Sequence, residues 1–200
     1  MALCPRSSRK ISLRQFEVTV SPRENSAGRR PRWRGDRPGR ILVVCGGQRT
    51  EPDYFSGLRR VRRALIEVTH KTDSPRNLVR YANKIFNEAE YDAVWCVVDV
   101  DDFDIEAAKT LAQTNAVELA VSEPCFELWL LLHFADHNAY VANYKAARPL
   151  LAKHVPGYDK KLDFGRFDAG VEVAIARAKK LGPGNPSTDV WRLVEVLLKH

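Results

Sequence analysis

The chain has 200 residues, is 44% hydrophobic, and carries 32 Lys or Arg against 25 Asp or Glu. That length can bury one sizeable core, with room for a small appendage. Membrane-spanning runs are excluded, because an apolar stretch such as Leu128 to Leu132 falls far short of the roughly 20 residues a bilayer requires.

The net charge of +7 belongs to one end. Residues 1–40 hold 11 basic and 3 acidic side chains, whereas the other 160 hold 21 basic and 22 acidic. Arg29, Arg30, Arg32, Arg34, Arg37 and Arg40 alternate with Gly, Pro and Trp33. Such a composition cannot bury a core, so 1–40 is read as a disordered basic tail and 41–200 as the domain. The tail could neutralise phosphates, with Trp33 stacking on a base. It could equally be a solubilising tail, or residues translated from an over-early start codon. The first 16 residues are rich in Arg and Ser and lack acids, as transit peptides do, but have no clear amphipathic stripe. Cys4, Cys45, Cys96 and Cys125 form no CxxC pair. A reduced, cytoplasmic protein is the simplest expectation.

Ile11 to Val20 could be a short extended piece. ILVVC at 41–45 then reads as a buried strand, followed by a Gly46–Gly47 turn. Thr50 is a candidate cap for a helix reaching about Ala64, with Asp53 three residues on and Pro52 in the first turn. Leu65 to Thr69 suits a second strand. Ser74 caps a further helix opened by Pro75, whose Leu78, Val79, Ala82, Ile85, Phe86 and Ala89 share one face. A third strand covers 93–98, a helix 105–114, and a fourth strand Ala116 to Val121. Residues 122–134 suggest a short loop and a buried helix, with Cys125, Phe126, Leu128, Trp129, Leu132 and Phe134 in the core. His133 reads as packed rather than ligating. Glu127, if buried, needs a partner, for which a neighbouring Arg or Lys would serve. Further helices are expected at 142–153, 168–181 and 188–199. Pro149 interrupts the first, Pro183 to Pro186 break the chain before the last, and Ser187 is a plausible cap. Lys145, Arg148, Lys153, Lys160, Lys161 and Arg166 could line a nucleic-acid path, though scattered surface lysines are the default.

This alternation predicts an α/β fold: a parallel sheet with helices on both faces and a helical C-terminal part. Right-handed crossovers would bring the ends of the first and third strands to one sheet edge. Ligands bind at such edges. The third strand ends in Asp99, Asp101 and Asp102, with Asp104 beyond. Neighbouring carboxylates repel one another unless a cation intervenes. Hard oxygen donors suit Mg²⁺ or Mn²⁺. Asp99 and Asp101 are therefore candidate metal ligands, and the alternative is a solvated acidic turn with Asp102 or Asp104 capping the next helix. Gly47 and the Thr50 helix terminus are candidate phosphate contacts, although two glycines after a strand are more often only a turn.

Several blocks carry a family resemblance: ILVVCGGQRTEPDYF at 41–55, EYDAVWCVVDVDDF at 90–103, VSEPCFELWLLLHF at 121–134, VPGYDKK at 155–161 and NPSTDVWRLVEVL at 185–197. In these the chain resembles the RloB-like proteins, found beside restriction–modification and other phage-defence genes. The resemblance implies a Toprim-like, Rossmann-like fold. In Toprim enzymes an Asp-x-Asp after the third strand binds Mg²⁺, which Asp99 and Asp101 match. A glutamate after the first strand acts as acid/base or ligand, but here Gly46 occupies that position. Glu51 matches the family's Thr-Glu-Pro. Glu123 stands where the family commonly has Asn, and is a candidate substitute carboxylate.

The leading expectation is a metal-dependent nuclease relative that acts on DNA or RNA in phage defence, impaired if Gly46 removes an essential group. A partner ATPase would supply any ATP hydrolysis, because the chain lacks GxxxxGK[ST]. The alternative is a non-catalytic subunit that binds nucleic acid or a partner. A small-molecule phosphohydrolase is a third, weaker reading. Oligomeric state is not legible in the sequence.

Overall fold

A computed structural model describes residues 39–100 and 105–199. Most of the basic tail with Trp33, the candidate piece at Ile11 to Val20, and Asp101, Asp102 and Asp104 lie outside the described residues.

Five strands form one sheet in the order β2-β1-β3-β4-β5. β1 (Ile41–Cys45), β2 (Ile66–His70), β3 (Ala93–Asp99) and β4 (Glu118–Glu123) run parallel. The apolar runs at 41–45 and 93–98 become the two central strands. Both of their faces are covered, which is why their sequences do not alternate with polar residues. Side chains of Ile41, Val43, Cys45, Trp95 and Val97 enter one core layer. Leu42, Val44, Val94, Cys96 and Val98 enter the other. This is the period-two alternation of a strand.

α1 (Thr50–Arg62) lies on the first face, ending at Arg63 in the left-handed region. α2 (Pro75–Ile85) and α3 (Ile105–Thr114) cover the second. The C-terminal helices do not form a separate body. α4 (Phe126–Leu132), α6 (Val171–Ala178) and α7 (Val190–Leu198) join α1 in the first layer, while α5 (Tyr144–Ala152) packs against α4. Arg62 helps tie the end of α1 to this layer, meeting Asp168 at 2.6 Å and Glu172 at 3.1 Å. No helix among the described residues is long and apolar enough to cross a membrane.

Several local expectations are corrected. Thr50 is the first helical residue rather than the cap, and no capping box forms, because its hydroxyl turns to Tyr158. Ser74 does sit at the cap position of α2, but without a side-chain capping bond; the Asp73 carboxylate accepts from Ser74 N–H and Asn77 instead. α2 stops before Ala89, which is exposed. Pro149 lies inside α5 without ending it. Ser187 is no cap: Ser187–Thr188 form β5, antiparallel to β4, and Asp189 precedes α7. Two residues are too short to carry a strand pattern, so only the pairing with Ser122 and Glu123 defines β5.

Candidate active site at the carboxyl ends of β1 and β3

The chain leaves β1 toward β2 on one side and β3 toward β4 on the other. The carboxyl ends of β1 and β3 therefore flank a topological switch point, where loops part and leave a crevice. A cleft of about 720 Å³ opens there. Gly46 to Glu51 form one wall, Thr72 to Pro75 a second, and Val98 and Asp99 the floor. Cys125, Phe126 and Glu127 close it from α4, and Tyr144 and Lys160 from the C-terminal part.

The turn after β1 is narrow. Gly46 N–H donates to Val97 O at 2.9 Å, stitching the turn to β3. Gly47 is followed closely by the Glu51 carboxylate, which folds back over the turn. A Cβ at position 47 would overlap both carboxylate oxygens. Glu51 is only 7% exposed although it sits in the first turn of a helix. Burial raises its pKa, and the nearby Glu127 raises it further. Hydrogen bonding by the backbone at Glu51 and Gly47, and the positive Lys160, act in the opposite direction, but the net shift is upward. Glu51 therefore keeps its proton to a higher pH than an exposed glutamate.

Glu127 is the second buried carboxylate, 4% exposed. Its expected partner was a cation, but the structure supplies a phenol. Tyr158 Oη–H donates to Glu127 Oε1 at 2.9 Å, and the same hydroxyl lies 3.3 Å from Thr50 Oγ1. Burial and Glu127 push the Tyr158 phenol upward, so it stays a donor. Burial likewise raises the Cys125 thiol, with Glu127 and Asp99 adding to the effect. Cys125 is an inert thiol at neutral pH rather than a nucleophile.

Of the candidate residues, Asp99, Glu51, Gly46, Gly47 and Thr50 all line this one cleft. Asp101 lies outside the described residues. Glu123 ends β4, paired with Ser187 and one residue past Ser122, the register partner of Asp99. It does not line the cleft, and Glu127, four residues on, enters in its place. From the sequence, Glu127 reads only as a buried acid in need of a partner, and Lys160 only as one of six basic residues that could line a nucleic-acid path; the structure brings both into the cleft. A lone acid in the apolar run CFELWLLL was the available signal for the first. Nothing local distinguished Lys160 from its neighbours.

His133 is set apart from this chemistry. Its Nε2 lies 3.1 Å from Tyr54 Oη and its Nδ1 3.0 Å from Trp129 O, and burial lowers its pKa to about 4. It is a packed, neutral histidine.

No curated protein and no solved structure matches the chain. The family model described as RloB-like protein matches residues 41–197, from β1 to within α7. The match contains the whole of the cleft and every described element but the last residue of α7, and the chain belongs to the RloB-like family.

Proposed function

We propose that this chain is a metal-dependent nuclease component of a phage-defence or restriction-associated system, with a Toprim-like cleft acting on DNA or RNA. The observation that supports it best is the convergence of Asp99, Glu51 and Glu127 in one cleft at the switch point of a parallel sheet.

Among the described residues, no group of three His, Cys, Asp or Glu side chains is placed to hold a metal ion. Mg²⁺ does not require such a cage, since it commonly takes one or two carboxylates and keeps several waters. The oxygen donors of Asp99, with Asp101 two residues on, fit Mg²⁺ or Mn²⁺ in chemistry. When bound, such an ion polarises a phosphoryl oxygen and acidifies a water. Asp99 and Asp101 would hold it. Glu51, with its raised pKa, suits proton transfer at the attacking or leaving oxygen. The Thr50 end of α1 would face a neighbouring phosphate, whereas the Gly47 backbone already serves the Glu51 carboxylate. Glu51 would in this way offset the glutamate missing at Gly46. A partner ATPase would serve any energy-dependent step.

A second reading, a non-catalytic binding subunit, is favoured by one observation. Gly46 can neither bind a metal nor move a proton. The backbone does not require glycine there: a Cβ would lie 3.3 Å from Val97 O and 3.8 Å from Leu78 Cδ2, so a side chain fits after small adjustments.

The deciding experiment is a nuclease assay with Mg²⁺ or Mn²⁺ on single- and double-stranded DNA and RNA. It compares the native chain with Asp99→Ala, Glu51→Gln and Gly46→Glu. Native activity lost in Asp99→Ala and Glu51→Gln supports the nuclease. Activity in Gly46→Glu alone favours the binding subunit. Native activity that survives in Asp99→Ala removes this cleft as its source.

A further inference from the structure

Lys160 is placed by an unusual loop. The segment 155–161 contains two residues in the left-handed region, Gly157 (φ 77°) and Lys160 (φ 74°), on either side of Tyr158. Gly157 adopts this conformation freely, whereas a residue with a side chain does so only where its surroundings hold it there. The holding contacts are visible. Tyr158 is buried as the loop's anchor, bonded to Glu127 and facing Thr50. The Asp159 carboxylate accepts from Lys161 N–H at 3.2 Å, closing the turn around Lys160. The ammonium of Lys160 then lies over the Tyr144 ring, 4.2 Å from its centroid, and both residues line the cleft.

The placement has an electrostatic consequence. Glu51 lines the same cleft, and Lys160 is close enough to lower that carboxyl's pKa. None of the ion pairs among the described residues includes Lys160. Its cation rests instead on an aromatic face, at the solvent side of an acid-lined cleft. A lysine held in that way is a compact point charge with three donors available for an incoming anion. Strained backbone beneath a cleft residue points toward function when the surroundings enforce it.

We infer that Lys160, braced on Tyr144 and presented by the Tyr158-anchored loop, is a substrate-phosphate contact of the cleft that Glu51 and Asp99 also line. The inference deepens the proposed nuclease and rests on it for the kind of phosphate bound. Acidic walls repel a polyanion, so a phosphodiester enters only where positive charge is also provided. Lys160 provides it from the rim, alongside Arg49 on the wall after β1.

The test uses the full chain, Lys160→Met, Lys160→Arg and, as a control outside the cleft, Lys180→Met. Binding of a fluorescent single-stranded oligonucleotide is measured in Ca²⁺ across a salt series. Line broadening of inorganic phosphate in Mg²⁺ is followed by ³¹P NMR. Lys160→Met should weaken oligonucleotide binding about tenfold at low salt and reduce the slope of log K against log salt by about 0.7, the value for one phosphate contact on a single strand. Lys160→Arg and Lys180→Met should stay near native. Native oligonucleotide binding that Lys160→Met leaves unchanged in affinity and slope overturns the inference while leaving the nuclease reading standing. No oligonucleotide binding, with phosphate broadening that depends on Lys160, keeps the phosphate contact and removes the nucleic-acid substrate. Binding of neither probe overturns both.

Discussion

The carboxylate of Glu51 occupies the space that a side chain at Gly47 would fill. Four residues apart in sequence, the two are joined by the tight passage from β1 into α1. The missing side chain at position 47 leaves the Glu51 carboxylate room to fold back over the turn. This explains how a first-turn glutamate comes to lie in a cleft rather than in solvent.

Gly47→Ala should displace the Glu51 carboxylate, the far end of a flexible side chain, and leave the backbone in place. The expected stability change is within about 1 kcal/mol. The Glu51 carboxyl, once turned to solvent, should titrate close to an ordinary glutamate. Carbon-detected NMR titration of the side chain, beside a thermal melt, checks both. An unchanged Glu51 titration would show that the carboxylate does not depend on the missing Cβ.

Glu51 and His133 should leave opposite marks on the pH dependence of stability. For Glu51 the folded pKa is raised, so the folded state binds more protons and the charged form is disfavoured. Its contribution is intact below the ordinary value of 4.5 and is lost as pH rises through the raised one. Glu51→Gln should therefore stabilise the chain at neutral pH, by an amount that vanishes near pH 4.5. For His133 the folded pKa falls from 6.5 to about 4, so the unfolded state binds more protons between those values. Its contribution is complete above pH 6.5 and is lost as pH falls to about 4, by roughly 3 kcal/mol over the window. Urea unfolding of His133→Asn between pH 4 and 7 should lack that slope. The native slope persisting in the variant would assign it elsewhere.

Tyr158→Phe removes the phenol that donates to Glu127. The buried carboxylate then loses a charge-assisted bond, and the fold should lose roughly 1–3 kcal/mol. Combining it with Glu127→Gln should cost less than the sum of the single changes, because the two groups act on each other. Additivity within about 0.5 kcal/mol would mean that the bond contributes nothing to stability.

Trp129→Ala should cost about 3–5 kcal/mol through the cavity it leaves. The ring is fully buried, with its centroid 6.1 Å from that of Tyr54 and 5.0 Å from that of His133. A denaturant midpoint close to the native one would contradict this packing.

Much of this protein was legible before its fold was known. The apolar runs at 41–45 and 93–98 determine two central strands, because only a sheet covered on both faces makes every residue of a strand apolar. Helical spacing over 78–86 determines the buried face of α2. The acidic end of β3 and the two glycines after β1 mark the sheet edge that carries the cleft, and the long blocks from 41 onward determine the family. Other features were decided only by tertiary structure. β5 exists because β4 offers an edge to Ser187 and Thr188, a pairing with no local pattern. Glu123, the last residue of β4, pairs with Ser187 and does not line the cleft, while Glu127, in the first turn of α4, does. Tyr158 and Lys160 stand more than a hundred residues from Thr50, and no spacing rule connects them. Local chemistry sets strands, helices and turns through neighbours along the chain; the partners of a buried carboxylate, and the cation that faces it, are set by whichever distant segments the fold brings to the same few ångströms.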